Sequence, residues 1–134
     1  RHIGIGYLKG YGLKSGAVAT SVAHDSHNII CVGTNDEDMA FAVNRIARNR
    51  GGIVVVENGQ VLAELPLEIA GIISGKPLRE VNALLEDAKK AAHALGVGTD
   101  IDPFMTLSFM SLPVIPTLRL TTRGVVDVNT QQYV

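Results

Sequence analysis

Five consecutive polar residues, His24-Asp25-Ser26-His27-Asn28, separate two apolar runs, Ala17 to Ala23 and Ile29 to Val32. Two imidazoles, a carboxylate, a hydroxyl and a carboxamide where a strand ends can carry proton transfer and hydrogen-bonded recognition of a polar ligand. With Asp25 as an orienting partner, a histidine holds one tautomer, and an unperturbed pKa of about 6.5 suits it to shuttling a proton near neutrality. His24 and His27 stand three apart, so they would share a face on a helix, whereas on an extended loop the turn decides their directions. Asp, Ser and Asn are also common turn formers, because their side chains hydrogen-bond nearby backbone. The stretch therefore reads either as a functional loop, with His24, Asp25 and His27 as acid-base candidates and Ser26 and Asn28 as binders, or as a tight structural turn.

A second candidate stretch is Asp100-Ile101-Asp102-Pro103-Phe104-Met105-Thr106-Leu107-Ser108-Phe109-Met110. Its two acids fit a metal-ligand pair or, more simply, a helix cap. Phe104, Met105, Phe109 and Met110 read as satellite core, with a stacking surface for a flat heterocycle as the sharper alternative. Gly10 and Gly12 form a Gly-x-Gly pair, but no helix opens directly after it, so it makes no dinucleotide site. His93 sits near the end of a predicted helix and reads as a solvated or dipole-satisfying residue.

Composition narrows the classes. The chain has 134 residues, enough for one compact domain spanning 1–134. Hydrophobic residues make up 46% and aromatics only 4%, so the core is built from Val, Ile, Leu and Ala, as in α/β or α+β interiors. A net charge of −1, from 12 basic and 13 acidic residues, leaves no electrostatic footprint for nucleic acid or an anionic membrane. No apolar run approaches the ~20 residues that span a bilayer. The single Cys31 has no partner for a disulfide and reads as a buried, inert thiol. Arg1-His2 begins neither a signal peptide nor an ordinary initiated chain, which suggests a segment of something longer.

The elements that position the candidates follow from periodicity. Gly4, Gly6, Gly10 and Gly12 alternate with large residues and predict a first strand whose one face approaches another backbone. Thr34 and Glu37 fit a capping box for a helix over about 36 to 50, ended by Gly51-Gly52. Asn58-Gly59 between Ile53–Val56 and Val61–Leu65 is a strong hairpin signal. The unbroken run of branched residues in the first of these strands predicts burial on both faces, with a helix covering each. Pro66 predicts a short helix over 67–73, and Pro77 opens a long one capped at Gly96. Residues 112–120 read as extended, Gly124 to Val128 as a last strand and 129–134 as a loose tail. The expected fold is α/β, a mixed and partly antiparallel sheet with two main helices and one short helix.

Taken together, five stretches resemble one family. They are Gly10 to Ala17, Ser21 to Ile30, Gly51 to Val55, Leu65 to Gly71 and Asp102 to Phe109. In that order they resemble the C-terminal domain of the bacterial and archaeal adenine deaminases, members of the amidohydrolase superfamily. The resemblance implies a part of an enzyme that hydrolyses adenine to hypoxanthine and ammonia with a divalent metal, manganese or iron, whose bound water attacks the purine carbon. It implies that the metal ligands, including a His-x-His, lie in an upstream catalytic barrel, and this sequence contains no His-x-His. For this segment it implies no metal or other cofactor, no turnover in isolation, and a role in shaping or closing the adenine pocket. His24, Asp25 and His27 would be the catalytic candidates there, and Ser26, Asn28, Phe104 and Met105 the substrate contacts. The implied partners are adenine, the barrel and further copies in a homo-oligomer, and the implied location is the cytoplasm, in purine salvage. Two other readings stand beside it: a non-catalytic docking module, and an independent metal-binding domain using His24, Asp25 and His27.

Overall fold

The computed structural model describes residues 2–134. Its centre is a four-stranded sheet in the order β2-β1-β3-β4, where β1 is Ala17–Thr20, β2 Ile30–Gly33, β3 Gly52–Glu57 and β4 Gln60–Pro66. Helix α1, Asp36–Arg48, carries the chain from β2 to β3. Those two strands run the same way, but β1 lies between them and opposes both. A crossover of the kind that usually makes parallel pairs thus leaves every ladder antiparallel, which corrects the expectation of a mixed sheet while leaving the α/β class intact.

Alternation along β3 sorts its side chains between two layers. Ile53 and Val55 join Val18 of β1 beneath α2 (Leu78–Ala94), which contributes Ala88 and Ala92, and α3 (Pro103–Phe109), which contributes Phe104 and Leu107. Val54 and Val56 join Ala17 and Ala19 against Ala42 and Ile46 of α1. Both faces of the central strands are covered, as the branched run implied. Each fully buried Val stabilises the fold by roughly 1.5–3 kcal/mol relative to exposure.

Polar ties lock α1 to the sheet. Its cap is Asn35, whose side chain accepts from Asp38 N at 2.8 Å, while Thr34 turns back to donate to Gly16 O at 3.3 Å. The capping box expected from Thr34 and Glu37 is therefore replaced by a cap one residue later. Asp38, buried in the first turn, also accepts from Asn58 N and Gly59 N in the β3–β4 turn. The Asn35 carboxamide and the Gly59 N–H hold its carboxyl below the usual carboxylate range. Asn58 and Gly59 both take positive φ, 51° and 70°, as a tight hairpin turn requires. Arg45 grips Glu64 of β4 through two hydrogen bonds of 2.7 and 2.6 Å.

Four local expectations change. Residues 2–16 join no ladder; Gly4 and Gly6 lie so close to β5 (Leu118–Thr121) and β6 (Gly124–Asp127) that a Cβ at Gly4 would sit 1.8 Å from Thr121 O. Close approach was read correctly, strand pairing was not. Residues 67–73 form a turn instead of a helix, because Leu67 N is taken by Gly51 O, while Ala70 and Gly71 take φ of 55° and 77°. Residues 112–116 are turns and bends rather than extended. The tail is tied down: β7, Gln132–Tyr133, pairs with β6 to complete a small second sheet, β5-β6-β7.

Candidate functional site: the histidine loop and its cleft

Residues 21–29 leave the end of β1 and return to β2. Ser21 fixes the root of this loop. Its hydroxyl accepts from Gly52 N at 2.7 Å and donates to Gly71 O at 2.5 Å, so one buried side chain joins the loop to β3 and to the 67–73 turn.

His24 is held from three sides by α3 and the residues after it. Its N–H donates to Ser108 O at 3.2 Å, its carbonyl accepts from Ser111 Oγ at 3.3 Å, and its ring stacks on Phe109, centroids 5.1 Å apart. Asp25, expected to orient a histidine, has its side chain 90% exposed, with Oδ1 4.0 Å from His24 Nδ1, beyond hydrogen-bond reach. The α3 segment does the orienting in its place.

His27 closes the turn. Its N–H donates to Ala23 O at 2.6 Å, and its Nδ1 accepts from Ala23 N at 3.2 Å, which requires φ of 49°. An Nδ1 that accepts carries no proton, so in the neutral ring the proton is on Nε2. Among the described residues Nε2 has no protein partner. The two imidazoles meet edge to face with centroids 5.4 Å apart. Ser26 and Asn28 are exposed and bond each other at 3.1 Å.

The predicted site residues divide between two cavities. His27 borders an open cleft of about 260 Å³ on the α1 side, together with Ser21, Ile29, Arg50 and Gly71. Phe104 and Met105 border a smaller one of about 150 Å³ on the α2 side, walled by Val22, Ile53 and Leu85. Phe104 is buried core, as its simpler reading held, whereas Met105 is half-exposed. His24 and His27 come together; Phe104 and Met105 do not join them. Arg50, Ser21 and Gly71 were not among the predicted site residues: Ser21 and Gly71 stood only at the ends of stretches that carry the family resemblance, and Arg50 only before the Gly51-Gly52 break.

Asp102 serves as the cap of α3, accepting from Phe104 N and Met105 N at 3.0 and 2.9 Å, and it pairs with Lys89 of α2 at 3.1 Å. Burial opposes its ionisation, but the Met105 N–H and the Lys89 ammonium outweigh that and hold the carboxyl below its usual range. Tyr11 donates to Pro103 O at 2.9 Å, and its phenol is raised above the usual range, chiefly by burial. Cys31 is half-buried, with its thiol pushed up to about 12 by burial. Among the described residues no three of His, Cys, Asp and Glu gather where they could hold a metal ion. The side chains present do not fit a metal centre, and His27 Nδ1 is already occupied by Ala23 N–H.

Fold and site together define an α/β domain that presents a histidine loop beside an open cleft. No helix is long and apolar enough to cross a membrane among the described residues. The chain belongs to the adenine deaminase C-terminal domain family, whose model matches residues 1–132. It is 53% identical to an adenine deaminase of Nitratidesulfovibrio vulgaris over 98% of its length, and 47% identical to one of Geobacillus kaustophilus over 98%. An adenine deaminase of Bacillus subtilis is 46% identical over 100% of the chain. In each case the chain spans 23% of the relative's own length, so it corresponds to part of a larger enzyme.

Proposed function

We propose that this chain is the C-terminal part of an enzyme that hydrolyses adenine to hypoxanthine and ammonia, and that the His24–Asn28 loop helps to form and close its purine pocket. The observation that carries this reading is the state of His27: a ring locked by Ala23 N–H, with Nε2–H uncommitted, bordering the open cleft. Such a group donates a hydrogen bond to a purine nitrogen, or passes a proton toward the departing ammonia, without reorienting. His24, seated on Phe109, backs His27 from the other side.

The activity belongs to the longer polypeptide. Its divalent metal, manganese or iron, would be held outside these 134 residues, which alone would not turn over adenine. The enzyme would work in the cytoplasm, in purine salvage, as a homo-oligomer. The test is deamination by the purified 134-residue chain and by the full-length enzyme, each with added manganese. Activity is expected only in the full-length protein; turnover by the short chain would overturn the division of labour, and an inactive full-length protein would overturn the reaction assigned.

A docking role is supported by a separate surface. Ile3, Ile5 and Tyr7 are largely exposed, and Leu118 of β5 and Tyr133 of β7 are half-exposed. Gly4 and Gly6 press the intervening positions onto β5 and β6, so these large side chains point away from the domain. Exposed apolar surface of this kind marks a contact face. We assign it to the remainder of the deaminase polypeptide. Self-association of the isolated chain that disappears when the remaining domains are supplied would support this; an isolated chain that stays monomeric and does not bind them would refute it.

A further inference from the structure

We infer that Asn58 is a latent deamidation site and that Asp38 of α1 keeps it closed by engaging the backbone nitrogen that would attack it. The inference is independent of the deaminase reading.

Sequence and exposure make the site. Of the asparagines in the chain only Asn58 precedes a glycine, and both residues are exposed at the tip of the β3–β4 hairpin. Glycine carries no side chain to hinder its own nitrogen and leaves the backbone free to rotate. In an unconstrained chain Gly59 N gives up its proton to water and attacks Asn58 Cγ. The new C–N bond closes a succinimide ring, and the Cγ–Nδ2 bond breaks to release ammonia. Water then opens the ring at either carbonyl and leaves aspartate or isoaspartate.

The fold withholds the nucleophile. Gly59 N donates to Asp38 Oδ1 at 2.8 Å, and Asn58 N to Asp38 Oδ2 at 3.2 Å. Asp38 is itself only 3% exposed, and the Asn35 carboxamide donates to its Oδ2 at 3.0 Å, so the acceptor is fixed from the helix cap. A carboxylate against an N–H opposes loss of that proton, because the amide anion would face a like charge with little water between them. Ring closure therefore waits on an opening of the turn that breaks both Asp38 bonds.

Reaction would undo the tie that prevents it. The product places a second carboxylate beside that of Asp38, and the isoaspartyl form adds a backbone carbon to a hairpin turn that has room for two residues. Either change weakens the link between α1 and the hairpin. The same two oxygens of Asp38 thus join helix to turn and protect the turn from its own chemistry.

The test follows Asn58 by peptide mass mapping while the full-length enzyme stands at neutral pH and physiological temperature, beside a synthetic peptide of residues 52–65. The peptide should deamidate while the parent enzyme keeps its asparagine. Asp38→Asn, which keeps the shape but loses the charge and one acceptor, should deamidate at least about fivefold faster than the parent, and Asp38→Ala faster still. Ser21→Ala is the control for lowered stability, since its bonds to Gly52 N and Gly71 O lie at the other end of β3; its Asn58 should behave like the parent's. Equal rates in parent and peptide would overturn the inference without any variant. Asp38 variants no faster than the parent would overturn it too, as would a Ser21→Ala rate equal to theirs, since general loosening would then be the cause.

Discussion

The ring of Phe109 lies against that of His24, centroids 5.1 Å apart and planes 22° from parallel. That contact joins the two stretches with the most chemistry in the sequence. It makes α3 the seat of the histidine loop, because Ser108 O and Ser111 Oγ hold the His24 backbone at the same place. The Asp102 cap and its Lys89 partner in turn fix where α3 begins.

Phe109→Ala should therefore act on His24 at a distance from any substrate. Removing a stacked ring forfeits about 0.5–1.5 kcal/mol beyond its area burial. In the full-length enzyme kcat should fall, while Phe109→Tyr, which keeps the ring, should restore it. The check is steady-state kinetics set beside the nuclear magnetic resonance ring-proton shifts of His24 in this domain. His24 ring-proton shifts that are identical in the alanine variant would show that Phe109 does not position it.

Ser21→Ala should loosen the cleft from its root. The hydroxyl is the partner of Gly52 N and Gly71 O, and stranding buried partners costs about 1–3 kcal/mol. Urea unfolding should show that loss, and amide exchange should quicken in residues 67–73 before the rest of the domain. Uniformly faster exchange, with no preference for that turn, would mean that Ser21 stabilises the fold without shaping the cleft.

Much of the scaffold was legible because local and global signals agreed. Asn58-Gly59 fixed the β3–β4 hairpin, since few residues accept two successive positive φ angles. Pro77 and Gly96 marked the ends of α2, and the unbroken Ile53–Val56 run marked a strand buried on both faces. Where tertiary contacts decide, the sequence was silent. Nothing local says that Leu67 N will pair with Gly51 O, and that bond helps make residues 67–73 a turn. The loop was found from residue types alone, with Asp25 read as the orienting partner of a histidine. The observed one, Phe109, lies 85 residues away along the chain. Arg50 was visible only as the residue before the Gly51-Gly52 helix stop.

Acid should weaken the domain through its carboxylates. Asp38, Glu64 and Asp102 all have folded-state pKa values below their ordinary 3.8, 4.5 and 3.8; for Glu64 the cause is first the Arg45 guanidinium. Groups depressed on folding stabilise fully above the unfolded values, and that contribution is lost as pH falls through the lower folded ones. Urea midpoints should hold steady from about pH 7 to about pH 5 and then decline through about pH 3. Glu64→Gln should lower the plateau and flatten the decline. A parent curve that rises on acidification would contradict the assignment.

The account turns on His27, and His27→Asn isolates its role. Asparagine tolerates a φ of 49° and can offer Oδ1 to Ala23 N–H where Nδ1 now accepts, but it has nothing in the place of Nε2. The decisive measurement is kcat/KM for adenine in the full-length enzyme carrying His27→Asn, beside its unfolding midpoint. A fall of at least about tenfold, or ~1.4 kcal/mol of transition-state stabilisation, with the midpoint essentially kept, is the result the account predicts. Parent-like kcat/KM in a folded variant would contradict it and return the histidine loop to the role of a structural turn.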